Sequence, residues 1–208
     1  MNWFPNFTCM ACGGEIQSST NPYLCPKCMA NLPIMTETQV EHYSPFIYEE
    51  PIRSMILKLK YDNNGFIAKA LAPYLAALYL KHIQPIFDDQ PIIIPIPLHK
   101  SRERERGYNQ SEILARELAA YINLPINTQA LVRNRKTIIQ KKMDTTTRAQ
   151  NMRGAFNVLP DERPNLQNRN ILLLDDVYTT GATSHECASV LQQHGAKKIA
   201  ILTLATVI

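Results

Sequence analysis

Thirteen residues, 171–183, read ILLLDDVYTTGAT and restrict the fold more than any other part of the chain. Four apolar residues in a row, Ile171, Leu172, Leu173 and Leu174, predict a strand covered on both faces, as in a parallel sheet. A turn of small residues follows, then a helical pattern over 182–194 that stops at Gly195. Ligands of open parallel sheets gather at the carboxyl ends of the strands. A helix that begins there presents unpaired N–H groups and a positive dipole end, a seat for one phosphate monoester. Thr179, Thr180 and Thr183 add hydroxyl donors, and Gly181 permits close backbone approach, with Tyr178 and Ala182 completing the loop. Asp175 and Asp176 can accept hydrogen bonds from two neighbouring ribose hydroxyls. A metal bridging such a sugar and a pyrophosphate would be Mg2+, which keeps water and substrate oxygens as most of its ligands.

Two plainer readings compete. Thr183 and Glu186 have capping-box spacing, so Thr183 could simply start the helix. Asp175 and Asp176 could be a polar strand end. Capping is compatible with phosphate binding, and a polar strand end does not account for three threonines around a glycine.

The rest of the chain supports an α/β class. Residues 51–60 and 66–81 read as helices, 91–96 as a short strand and 109–122 as an amphipathic helix. Ile113, Leu114, Leu118 and Tyr121 share one face of that last helix. Residues 129–132 and 155–159 fit short strands, and 198–207 a closing strand. Alternating strands and helices predict a mostly parallel sheet with helices on both sides. Three regions separate: a ribbon at 1–33, a connector at 34–50 and the α/β body at 51–208.

Within the ribbon, CMAC and CPKC place Cys9, Cys12, Cys25 and Cys28 as two knuckles 12 residues apart. Two knuckles supply four sulfurs for a tetrahedral site, which suits Zn2+ best; a rubredoxin-like iron site has the same ligands. Four cysteines leave no open coordination position, so the expected role of the zinc is structural. The chain contains no run near the roughly 20 apolar residues a membrane span needs. Its start lacks the basic and apolar pattern of a secretory signal. A cytoplasmic location is expected, and there paired cysteines argue for metal over disulfides.

Charge is uneven. Residues 95–153 hold 12 Lys/Arg against 5 Asp/Glu, a local excess of +7 in a chain of net +4. A basic middle in a mildly acidic frame points to a polyanionic ligand, either phosphates or nucleic acid.

The 171–183 segment resembles the signature of type I phosphoribosyltransferases. That resemblance implies a parallel sheet with flanking helices, acids on the ribose, and the loop on the 5-phosphate of phosphoribosyl pyrophosphate. Two further segments narrow it. PIPLHKSRERERGYNQS, at 95–111, leaves a strand through two prolines, and 133–156 carries Arg135, Thr137, Gln140, Arg148, Asn151 and Gly154. With the four-cysteine ribbon, this order resembles the ComF family of competence-associated, phosphoribosyltransferase-like proteins.

The family pattern implies that 97–100 forms the pyrophosphate loop, with Leu98, His99, Lys100, Arg102 and Arg106 as candidate contacts. Arg104 belongs to a solvated charged turn, and His99 could contact a ligand, contact a metal or shape the turn. Residues 133–150, polar and Thr-rich, fit a flap bearing Arg135 and Gln140 that would exclude water as charge builds on the ribose. An ordinary exposed loop is the alternative.

Two functions follow from the resemblance. One is a natural-transformation (DNA-uptake) protein that binds phosphoribosyl pyrophosphate and handles incoming single-stranded DNA, with other competence or DNA-processing proteins as partners. The other is an active phosphoribosyltransferase with an unidentified acceptor. Trp3, Phe4 and Tyr108 could stack on bases or simply pack.

Overall fold

The computed structural model describes residues 8–16, 21–36, 41–62, 64–135 and 152–208. Four strands form one parallel sheet. Strand β1 is Phe46–Ile47, β2 Ile92–Pro95, β5 Ile171–Tyr178 and β6 Ile199–Thr206, and the spatial order is β1-β6-β5-β2. The remaining two, β3 (Leu131–Arg133) and β4 (Phe156–Val158), pair antiparallel as a separate ribbon. Among the described residues the α-helices are α1 (Pro26–Ala30), α2 (Ile52–Tyr61), α3 (Phe66–Leu78), α4 (Lys100–Arg106), α5 (Gln110–Ile122), α6 (Arg163–Leu166) and α7 (Ala182–Gln193).

Strand β5 is central because its side chains are apolar on both faces. Leu172 and Leu174 join Leu202 and Leu204 beneath α2, α3 and α5. Ile171 and Leu173 join Ile201, with Cys187, Val190 and Leu191 of α7, on the opposite face. All four β5 residues are fully buried, so the continuous apolar run does what a doubly covered strand requires.

Several details depart from expectation. Strand β5 continues past Leu174 through both aspartates to Tyr178, because Asp175, Val177 and Tyr178 stay in register with Thr203, Ala205 and Thr206. The helix beginning at Phe66 changes at Tyr79 into a π-helical turn, Tyr79–Ile83. Tyr121 is 62% exposed and leaves the apolar face to Leu114, Ala115 and Leu118. The segment between the ribbon and α2 supplies β1 and a bridge from Tyr43 to Leu202. Among the described residues, no helix is long and apolar enough to cross a membrane.

Candidate functional site

The two aspartates sit where β5 approaches its carboxyl end, and each is held by a different helix. Asp176 is buried, and its Oδ2 forms an ion pair with Lys60 Nζ of α2 at 2.6 Å. Burial alone would lower the Lys60 pKa, but the Asp176 carboxylate outweighs it and the net shift is upward. Asp175 accepts from Ser111 Oγ at 2.8 Å and from the backbone N–H of Asp176 at 2.9 Å. Burial, reinforced by the neighbouring Asp176 charge, pushes the Asp175 carboxyl up to about 7, against the pull of Ser111.

Ser111 is placed by its own helix start. Asn109 caps α5 by accepting from Ser111 N–H at 3.1 Å, while its side-chain amide donates to the Ile96 carbonyl at 3.0 Å. That second bond ties α5 to the end of β2, beside the acids. Sequence reasoning passed over both Lys60 and Ser111. Each lies at a helix end that was legible, but their partners lie 116 and 64 residues away and leave no local trace.

The turn after β5 is tight. Gly181 has φ +73°, and a Cβ there would fall 2.2 Å from Tyr178 Oη and 2.5 Å from His185 Cδ2. Only glycine fits both the backbone and the space. Helix α7 begins at Ala182 with no side-chain cap, so Thr183 lies within its first turn. The Glu186 carboxylate accepts from Gly154 N–H at 2.6 Å, so the capping-box alternative is not realised there. Thr179 is exposed, and Thr180 and Thr183 are half-buried. Tyr178 packs against this turn in a small cluster. It stacks on His42 at 3.5 Å, and its hydroxyl lies 2.9 Å from His185 Nε2 and donates to Glu41 at 3.2 Å.

The loop at 97–100 runs beside the acids, because Ile96 N–H donates to the Leu174 carbonyl. His99 caps α4: its Nδ1 accepts from Ser101 N–H at 3.2 Å. The RERER run at 102–106, for which a solvated charged turn is the alternative reading, lies in that short helix, and Gly107 ends it at φ +83°. Arg104 is exposed, while Arg102 and Arg106 are half-buried. Arg106 bonds Gln110 and lies over the Tyr61 ring at 5.1 Å. A parallel bridge from His99 to Arg133 brings β3 against this loop. Burial lowers the Arg133 pKa, and the nearby Arg102 charge adds to the shift. Arg135 donates to the Arg153 carbonyl at 2.8 Å. Gln140, with most of the candidate flap, lies outside the described residues, as do Trp3 and Phe4.

Beside the last turn of α2, where Lys58 reaches the Met10 and Ala11 carbonyls, the four cysteine sulfurs lie within 4.8 Å of one another. A tetrahedral zinc at about 2.3 Å from each sulfur needs edges of about 3.8 Å, and Cys12 and Cys25 are already 3.9 Å apart. Cys25 N–H donates to Cys9 Sγ at 3.3 Å. Burial raises the Cys9 thiol, but this and other backbone donors outweigh it and bring the thiol to about 6. Burial and the three neighbouring thiols push Cys28 up to about 12. The group can hold a zinc ion.

No family model matches the chain. Competence protein F of Haemophilus influenzae is 30% identical over 199 residues, covering 95% of this chain and 83% of that protein. The chain belongs to the competence protein F family. A DNA utilization protein, YhgH of Escherichia coli K12, is 30% identical over 94% of this chain and 82% of its own length. Competence protein ComFC of Bacillus subtilis is also 30% identical, over 79% and 63%. Among solved structures, glutamine phosphoribosylpyrophosphate amidotransferase from B. subtilis is 16% identical with a TM-score of 0.45, over 71% of this chain and 30% of that one. A hypoxanthine phosphoribosyltransferase from Staphylococcus aureus is 15% identical with a TM-score of 0.42, over 67% and 62%.

Proposed function

We propose that this competence protein F family member binds phosphoribosyl pyrophosphate with Mg2+ at the end of β5 and acts on incoming single-stranded DNA in the cytoplasm. The observation that carries the ligand half is the adjacency of two fixed carboxylates to the start of α7. Asp175 and Asp176 are oriented by Ser111 and Lys60, and side chains held by the protein itself need little ordering on binding. Gly181 lets the turn reach helix α7, whose first N–H groups suit the 5-phosphate. Asp176 is engaged by Lys60, so Mg2+ would take most of its oxygens from the ribose, the diphosphate and water. Bound there, it would neutralise charge on the diphosphate.

The DNA half is supported by the relatives' names and by the convergence of basic segments. Arg102 and Arg133 approach each other where α4 meets β3, and Lys100 and Arg104 stand exposed on the same helix. Anisotropy of a labelled single-stranded oligonucleotide across salt concentrations tests this half. Binding should weaken as a power of salt, with a slope near −0.7 per neutralised phosphate. A salt-independent or absent signal would overturn it.

A further inference from the structure

Three consecutive residues in the last turn of α2 reach three different places. Lys58 Nζ donates to the carbonyls of Met10 and Ala11 at 3.0 and 3.1 Å. Those two residues are the interior of the Cys9–Cys12 knuckle. The Leu59 carbonyl accepts from Tyr108 Oη at 2.7 Å, and Tyr108 immediately precedes the Asn109 cap that places Ser111 against Asp175. Lys60 pairs with Asp176. Lys58 and Lys60 are about 200° apart around the helix, so one turn spans from the knuckle to the acids.

We propose that this turn transmits the state of the four-cysteine knuckle to the ribose acids, with Lys58 as the positioning residue. The inference rests on the reading of Asp175 and Asp176 as a phosphoribosyl pyrophosphate seat. The orientation of the Met10 and Ala11 carbonyls follows from how Cys9 and Cys12 close on one metal. Within the described part of the ribbon only Cys9, Leu24 and Leu32 are buried apolar residues, so metal closure has to do what a core otherwise does. An empty knuckle releases its carbonyls from Lys58. The end of α2 then loses one of its anchors, and both arms towards the acids loosen. Leu59, in the same turn, is fully buried in the core, and close packing makes the turn stiff enough to act as one body.

Thermodynamic linkage makes this testable, because coupling between two binding sites is reciprocal. The zinc affinity of the full-length chain is measured by equilibrium competition with a chelating dye, with and without saturating phosphoribosyl pyrophosphate and Mg2+. The ligand should tighten zinc binding by about 5-fold or more, the usual lower range for coupled sites. The factor should fall towards 1 in Lys58→Met and return in Lys58→Arg. Tyr108→Phe, which cuts the arm towards Asp175, should also lower it. Ligand binding to wild type with no change in zinc affinity overturns the inference alone. Full coupling in Lys58→Met removes Lys58 from its role. Failure of wild type to bind the ligand overturns the reading of the site and this inference with it.

Discussion

The Lys60 ammonium lies 2.6 Å from the Asp176 carboxylate, and both groups are largely shielded from water, at 20% and 7% side-chain exposure. A pair removed from water in this way is costly to break from one side, because the remaining charge is left without a partner. Lys60→Met should therefore destabilise the fold by about 3 kcal/mol, read from urea unfolding. The double variant Lys60→Met/Asp176→Asn should recover most of that loss. A single variant within about 0.5 kcal/mol of wild type, the range of ordinary surface changes, would contradict the pairing.

Asp175 makes stability depend on pH. Its carboxyl is at about 7 in the folded chain and near 4 when unfolded. The folded state thus holds this proton more tightly. The stabilisation is complete below the unfolded value and is lost as pH rises through about 7. Asp175→Asn should flatten that part of the curve of melting temperature against pH. Ser111→Ala removes a donor to the ionised carboxylate and should move the step to higher pH. A step that survives unchanged in Asp175→Asn would assign it to another group.

Gly181→Ala tests the turn. The added Cβ would overlap Tyr178 Oη and His185 Cδ2, and the residue would have to hold φ +73°. We expect a loss of at least about 1 kcal/mol from the backbone alone, with the contacts adding to it. Calorimetric melting reads the change, and a neutral result would mean the turn has another conformation available.

How far the sequence anticipated this arrangement depends on the range of the contacts involved. The 171–183 segment was legible because its strand, turn and helix are adjacent in the chain. The four cysteines were legible because each knuckle is a local pattern. Lys60 and Ser111 were not, since no periodicity records which acid a helix end will meet. The two-residue strand β1 is too short for an alternating pattern, and its place in the sheet comes from pairing with the distant Ala205 and Thr206. The 100–106 helix was masked by its alternating charges, although His99 caps it and Gly107 ends it in the usual left-handed way.

Charge reversal in α4 tests the DNA half of the functional proposal. Arg102→Glu with Arg104→Glu should reduce the salt slope of oligonucleotide binding by at least about 1, since each lost phosphate contact removes roughly 0.7. An unchanged slope would place the DNA track elsewhere.

The central claim is that the end of β5 binds phosphoribosyl pyrophosphate. Isothermal titration of the zinc-loaded chain with that ligand and Mg2+ measures it directly. Wild type should bind with one site per chain, and Asp175→Ala/Asp176→Ala should lose at least 10-fold in affinity, equivalent to about 1.4 kcal/mol. Absence of heat and of competition in wild type, or equal affinity in the double variant, would contradict it.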